Sequence, residues 1–437
     1  MKLWDLGARR ALEASLVLLG LELVFVVVSG GASLLDPAGT RTVSLPGFVL
    51  RATLLALALL LRCALQSEGR VDRARLVLAL LVLPALAQFH FAGGRIGGDG
   101  VSYYVYVRSL VKDHDLDFTN EYTHYGWIDR VDIRVPTVTG LRRSIFSVGP
   151  GLVSIPFFLL GEAVGRLQAL AGAEVDLSGY GDVHVHAVGL GGFSFGFLAV
   201  WLIHGVLRRH FAQGTALLAA LLVWLATFLH WYMTQQPIVS HAASTAAAAL
   251  VLFAWDRSRE GRTARGYLAL GLILGFSMCL RWQNGVLLLL PGLELLRRLG
   301  REGLALGQGA RLASLLAAGT FLGALPQMLA WKTLYGVFLL PAPPHGADFL
   351  RLDHPYVLNT LFSSRHGLLS WTPVLWAGFL GFLPLLKRRP QLAVPMLLPL
   401  VGMTYVNMCS GDWWAGGSFS NRRFDSLLPL LALGVAA

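Results

Sequence analysis

Residues 97–118 read GGDGVSYYVYVRSLVKDHDLDF and set one carboxylate, Asp99, between glycines at the mouth of a helix. A carboxylate in that place has two uses. It can cap the free N–H groups of a first turn. At a membrane surface it can also serve as a general base that takes a proton from a hydroxyl. Gly97, Gly98 and Gly100 let the backbone turn freely, and residues 101–111 then read as a partly amphipathic helix carrying Tyr104, Val105 and Leu110.

Further polar groups interrupt the apolar sequence. His241 follows WYMTQQPIVS at a helix start, where an imidazole can carry a proton, bind a ligand or simply cap. Arg281 lies in CLRWQN at the end of an apolar run, and a desolvated guanidinium needs an anion, either a lipid phosphate or a carboxylate such as Asp99. Arg365 and His366 stand in LFSSRHGLLSWTP. Asp412, Arg422 and Arg423 stand in GDWWAGGSFSNRRF. Paired guanidinium groups suit phosphate oxygens. The alternating acids Asp113, Asp115 and Asp117 invite a calcium reading. No glycine follows at the sixth place and His124 holds the twelfth, so a solvated turn is expected instead.

These residues need a frame, and the composition defines it. The chain has 437 residues, is 55% hydrophobic and only 14% charged, with mean hydropathy +0.60. Soluble domains carry about 25% charged residues. The pattern predicts an all-α polytopic membrane protein. The net charge of +11 is assigned to cytoplasmic loops beside anionic headgroups rather than to nucleic acid. Cys63, Cys279 and Cys409 have no metal or disulfide spacing and read as small buried side chains. The N-terminal basic residues and apolar run read as an uncleaved signal anchor.

Apolar runs of this length must be helical. Spans are expected at 11–29, 46–65, 74–91, 186–207, 215–231, 238–255, 267–280, 286–296, 312–331, 367–386 and 392–408. The run 427–437 is too short to cross by itself, since about 20 residues are needed, and this predicts a chain that continues. Clusters of Arg and Lys alternate sides correctly only if residues 147–164, SVGPGLVSIPFFLLGEAV, do not cross. That segment is expected to stay on the outer side, juxtamembrane or dipping and returning at its prolines. Residues 92–182 then form one large outer loop, and Asp99, His241, Arg281, His345, Asp353, His354, Arg365, His366, Asp412, Arg422 and Arg423 all face outward. Glu22 and Arg51 sit roughly one and a half to two turns from the outer ends of antiparallel helices, which predicts an ion pair in the membrane.

On these motifs the chain resembles the GT-C membrane glycosyltransferases, among them the protein O-mannosyltransferases and the lipid A aminoarabinose transferases. GGDGVSYYVYVRSLVKDHDLDF is similar to that family's first outer loop, with an acid followed by a tyrosine-bearing amphipathic helix. FSVGPGLVSIPFFLLG resembles its juxtamembrane segment, and GGSFSNRRFDSLLPLL its late arginine-bearing helix start. The likeness runs from about Ala74 onward. Where many relatives have a second acid, this chain has Ser240-His241.

The resemblance implies a GT-C-like helical bundle with outer-face juxtamembrane helices. An N-terminal hairpin would occupy residues 1–70, a catalytic membrane module 74–333, and an outer loop with C-terminal helices 334–437. It implies an inverting glycosyltransferase of a bacterial inner (plasma) membrane, working on the outer face. The donor would be a polyprenyl-phosphate sugar and the acceptor a hydroxyl on lipid, glycan or protein. Asp99 would be the catalytic base, with Tyr103, Tyr104, His241, Arg281, Arg365, His366, Asp412, Arg422 and Arg423 binding substrate. Arginine can stabilise a leaving monophosphate, so no cofactor is required. A divalent cation is the alternative, with Asp99, His241, His345 or His354 as ligands. The competing classes are a transporter or lipid flippase, an envelope oligosaccharide ligase or polymerase using diphosphate donors, and a non-catalytic scaffold. Transporters place polar groups near the midplane, whereas here they gather at one end.

Overall fold

Leu- and Ala-rich runs satisfy their own backbone groups only as helices, and the described residues form helices and loops with no β-strand. The computed structural model describes residues 14, 16–22, 51–56, 59, 73–92, 96–340 and 349–437. Four of the described helices are long and apolar enough to cross a membrane, and a bent pair makes a fifth. This is a helical integral membrane protein. Residues 1–94 and 95–437 form separate units.

In the first unit, α1 spans Arg73–Ala92. Most of the expected spans 11–29 and 46–65, and Cys63, lie outside the described residues. Glu22 and Arg51 are described and form the expected pair, with Arg51 Nε 3.2 Å from Glu22 Oε1.

The second unit begins with α2 (Asp99–Arg108), continued by a wider π-helical turn to Asp113. A loop leads to α3 (Gly149–Leu170), then α4 (Asp182–His210), α5 (Gln213–Leu225), α6 (Phe228–Thr234), α7 (His241–Ser258) and α8 (Ala264–Leu280). A 3₁₀ turn, Trp282–Leu288, leads into α9 (Leu289–Arg301). The long α10 (Leu306–Tyr335), α11 (Pro390–Met408) and α12 (Leu428–Val435) complete the unit. His345 and the expected stiff loop element Pro341–Pro344 lie outside the described residues.

Three expectations change. Residues 147–164 do not dip and return: α3 is one continuous helix of 22 residues, with Pro150 in its first turn, where a missing N–H costs nothing. Residues 215–231 are not one continuous helix. α5 and α6 meet at 61°, because Thr227 leaves the helical region and its hydroxyl caps α6 by accepting from the Leu229 N–H at 3.2 Å. Residues 367–386 are likewise broken, into Leu368–Trp371, Val374–Leu380 and Phe382–Arg388, with Pro373 at the first break.

Contacts along the helices define two ends. α4 and α7 run parallel. Near their far ends Arg209 and His210 reach Asp256 at 2.7 and 2.9 Å. At the opposite end, Gly192 of α4 meets the Pro237 carbonyl so closely that no β-carbon would fit. α8 and α10 run parallel, with backbones in contact through Gly271, Gly275, Gly319 and Gly323, as small residues allow between membrane helices. α3 begins against Cys279 in the last turn of α8, and its Gly161 lies against Val183 and His184 in the first turn of α4. Both places are on the side of the unit opposite Asp256. Its Leu159, Leu160, Leu167 and Leu170 are exposed, as on a helix that faces lipid.

Candidate functional site

The rim opposite Asp256 gathers the polar groups, and Asp99 enters it through its backbone. Gly98 has φ +52° and ψ −136°, a conformation reserved for glycine, and it starts α2 with Asp99 as the first helical residue. No side chain caps this helix, so Asp99 is not acting as a cap. Its carboxylate instead meets Arg422 Nη2 at 2.6 Å. Arg422 also donates through Nε to the Ala415 carbonyl at 3.0 Å, which fixes the guanidinium against the 410–420 loop.

One helical turn on, Tyr103 shares the Asp99 face of α2. Its hydroxyl accepts from Ser240 Oγ at 2.9 Å. Burial pushes this phenol up to about 12, with Arg281 pulling the other way, so it stays a neutral hydrogen-bonding group. Tyr104 points elsewhere. It is fully buried, packs on Phe158 and Tyr125, and donates to the Gly179 carbonyl at 2.7 Å. The expectation that Tyr104 binds substrate is therefore corrected: it pins the 176–181 loop.

His241 and Arg281 meet, but not at Asp99. The acid between them is Asp425, which sequence reading did not single out. Asp425 Oδ2 lies 2.8 Å from His241 Nδ1 and 3.0 Å from Arg281 Nη1. Its other oxygen accepts from the Ser426 N–H at 2.6 Å and from the Ser426 hydroxyl at 2.9 Å. Burial opposes ionisation of this carboxyl, but the Arg281 charge and the hydrogen bonds outweigh it and hold the group below its ordinary value. A signal was present in the sequence: an acid two residues after Arg423, at the edge of the run LLPLL, needs a partner.

Arg423 pairs with Asp412, and its carbonyl accepts from Gln283 Nε2 at 2.7 Å and Asn407 Nδ2 at 3.0 Å. Arg365 and His366 stand with the 410–420 loop rather than with Asp99. Arg365 lies over the Trp414 ring at 4.5 Å, and His366 Nδ1 is 2.9 Å from the Trp414 carbonyl. His366, Ala415 and Ser420 all have positive φ, between 56° and 62°, so this loop is held in a conformation that side chains rarely adopt.

Two cavities are lined in part by residues at the start of α2. One, of about 300 Å³, is lined by Tyr103, Arg281 and Arg423 together with apolar Leu280, Trp282 and Val406. The other, of about 140 Å³, is lined by Gly97, Gly100, Gln235 and Gln236. The acids of the 113–117 turn serve the turn itself: Asp115 accepts from Ser109 and Asp117 from Thr119. Among the described residues, no three His, Cys, Asp or Glu side chains gather as a metal site would require.

The arrangement sets a carboxylate beside a guanidinium, next to a cavity with two cationic groups and an apolar wall. It can bind an anionic amphiphile and accept a proton beside it. No protein-family model matches the chain, and no curated protein matches it.

Proposed function

We propose that the protein transfers a sugar, with inversion, from a polyprenyl-phosphate donor to an acceptor hydroxyl on the outer face of the membrane, as the GT-C glycosyltransferases it resembles do. The observation that carries this reading is the Asp99–Arg422 pair, whose neighbours Tyr103 and Arg423 line a cavity together with Arg281.

In the reaction, the acceptor oxygen attacks the anomeric carbon as its proton passes to the Asp99 carboxylate. The bond from that carbon to the phosphate oxygen breaks, and the lipid phosphate leaves with the electron pair. Arg281 and Arg423 face the developing charge, and preorganised cations stabilise it most where water is excluded. Leu280, Trp282 and Val406 offer the lipid chain an apolar path. Asp412 and Asp425 hold Arg423 and Arg281 in place.

The test uses membranes holding the protein and a radiolabelled polyprenyl-phosphate sugar. Asp99→Asn should abolish label transfer at normal expression, by about 10²–10⁴-fold. Unchanged transfer would remove Asp99 from the chemistry. Movement of a solute across the membrane, with no glycan altered, would instead identify a transporter.

A further inference from the structure

At the end of the unit opposite Asp99 lies another cavity, of about 270 Å³, between the ends of α7, α9 and α11. Arg259, Arg262, Arg297 and Arg298 line it, with Glu260, Glu294 and Glu302. Two of the three acids are already engaged. Glu294 gives one oxygen to Arg262 Nη1 at 2.9 Å and the other to the Tyr267 hydroxyl at 2.9 Å. Glu302 is shared by two cations, at 2.8 Å from Arg297 and 3.8 Å from Arg298.

Arg259 shares its acid with two other groups. Its nearest acid is Asp256, at 3.4 Å, whose two oxygens already accept from Arg209 and His210. Among the described residues, the buried Arg259 Nε makes this ion pair without forming a hydrogen bond. A second buried donor in the same wall, Trp255 Nε1, also has none. Buried donors without acceptors are costly. Beyond the Arg262–Glu294 pair, Arg259, Arg297 and Arg298 line the cavity with two carboxylates, Glu260 and Glu302, so the cations outnumber the acids. Guanidinium groups match phosphate oxygens in charge and planar geometry.

We propose that this cavity binds a phosphate-bearing anion, either the headgroup of an anionic phospholipid in the leaflet at this end or free phosphate. Basic crevices between membrane helices hold such headgroups. This inference does not depend on the proposed reaction.

The test is thermal unfolding of the full chain in non-ionic detergent, titrated with cardiolipin, phosphatidylglycerol, phosphatidylcholine or inorganic phosphate. Cardiolipin and phosphatidylglycerol should raise Tm, phosphatidylcholine should not, and Arg259→Gln should weaken the effect about fivefold. Should Arg259→Gln fail to fold, Arg297→Gln, whose side chain is half exposed, carries the same test. Arg166→Gln, an exposed change on α3, controls for loss of charge alone. An equal, Arg259-dependent shift with inorganic phosphate would support the site and identify free phosphate as its ligand. No shift with any anion, or a shift that both cavity variants leave intact, would overturn the proposal.

Discussion

Asp99 and Arg422 lie 323 positions apart in the chain and meet at 2.6 Å. The pair joins the first turn of α2 to the turn before α12, so two distant segments form one rim. Charged groups placed on opposite sides of a bilayer could not touch. The contact therefore supports a shared side for Asp99 and Arg422, which the alternation of basic clusters requires.

Arg422 holds Asp99 through charge and is itself held by the Ala415 carbonyl. Arg422→Gln should keep the fold and cut sugar transfer on the order of 10²-fold, with Arg422→Lys recovering part of the loss. Full transfer by Arg422→Gln, measured in the same membranes, would show the pairing to be structural only.

Asp425 neutralises Arg281 in a buried place. Asp425→Asn leaves that cation without its counter-charge and should cost about 3–5 kcal/mol, read as a fall in Tm. The sign with pH follows from its lowered folded value. Its stabilisation is complete above the unfolded value of 3.8 and is lost as pH falls through the folded one. The variant should therefore lose less stability on acidification than the parent.

Glu121 behaves oppositely. Burial raises its carboxyl to about 7, against the pull of Arg108, and its Oε2 has no hydrogen-bond partner. Its folded state holds the proton more tightly than the unfolded chain does. Stability from this group is complete below pH 4.5 and falls as pH rises through about 7, by up to about 3 kcal/mol. Glu121→Gln should flatten the Tm profile across that window, since Arg108 keeps its contacts with Asp113 and the Ser178 carbonyl. An unchanged slope would move the effect to another group.

The Glu22–Arg51 pair is testable by charge reversal. Glu22 is 1% exposed, so Glu22→Arg alone should lower folded yield in membranes sharply. Adding Arg51→Glu should restore it. Failure of the double swap to restore folded protein would count against a direct pairing.

Much of the frame is legible in the amino-acid sequence. Apolar runs and the alternation of basic clusters indicate a helical membrane protein whose polar groups share an end. The Glu22–Arg51 pair follows from depth alone. Pairing at the rim is what the residues by themselves leave open. Arg281 advertises a need for an anion, but several acids could meet it, and only tertiary packing selects Asp425 over Asp99. Tyr103 and Tyr104 are adjacent, so one faces the rim and the other the core, and their order depends on where the helix starts. That start is set by Gly98, a backbone feature without a periodic signature. The break at Thr227 is hidden because a capping threonine inside an apolar run looks like any other small residue. In α3 the prolines suggest an irregularity; Pro150, in the first turn, does not impose one, and the helix stays continuous through Pro156.

Asp425 also bears on how the molecule is made. The carboxylate that neutralises Arg281 belongs to a turn translated after nearly every other part of the rim. A nascent chain that has reached residue 411 already displays Asp99, His241 and Arg281, but the first lacks its guanidinium and the other two lack their acid. Until α12 and the turn before it are in place, those charges must be sheltered by water, by lipid phosphates or by the insertion machinery. Assembly of the rim thus waits for the segment around residue 425, and premature termination shortly before that turn removes the centre as a whole rather than one component of it.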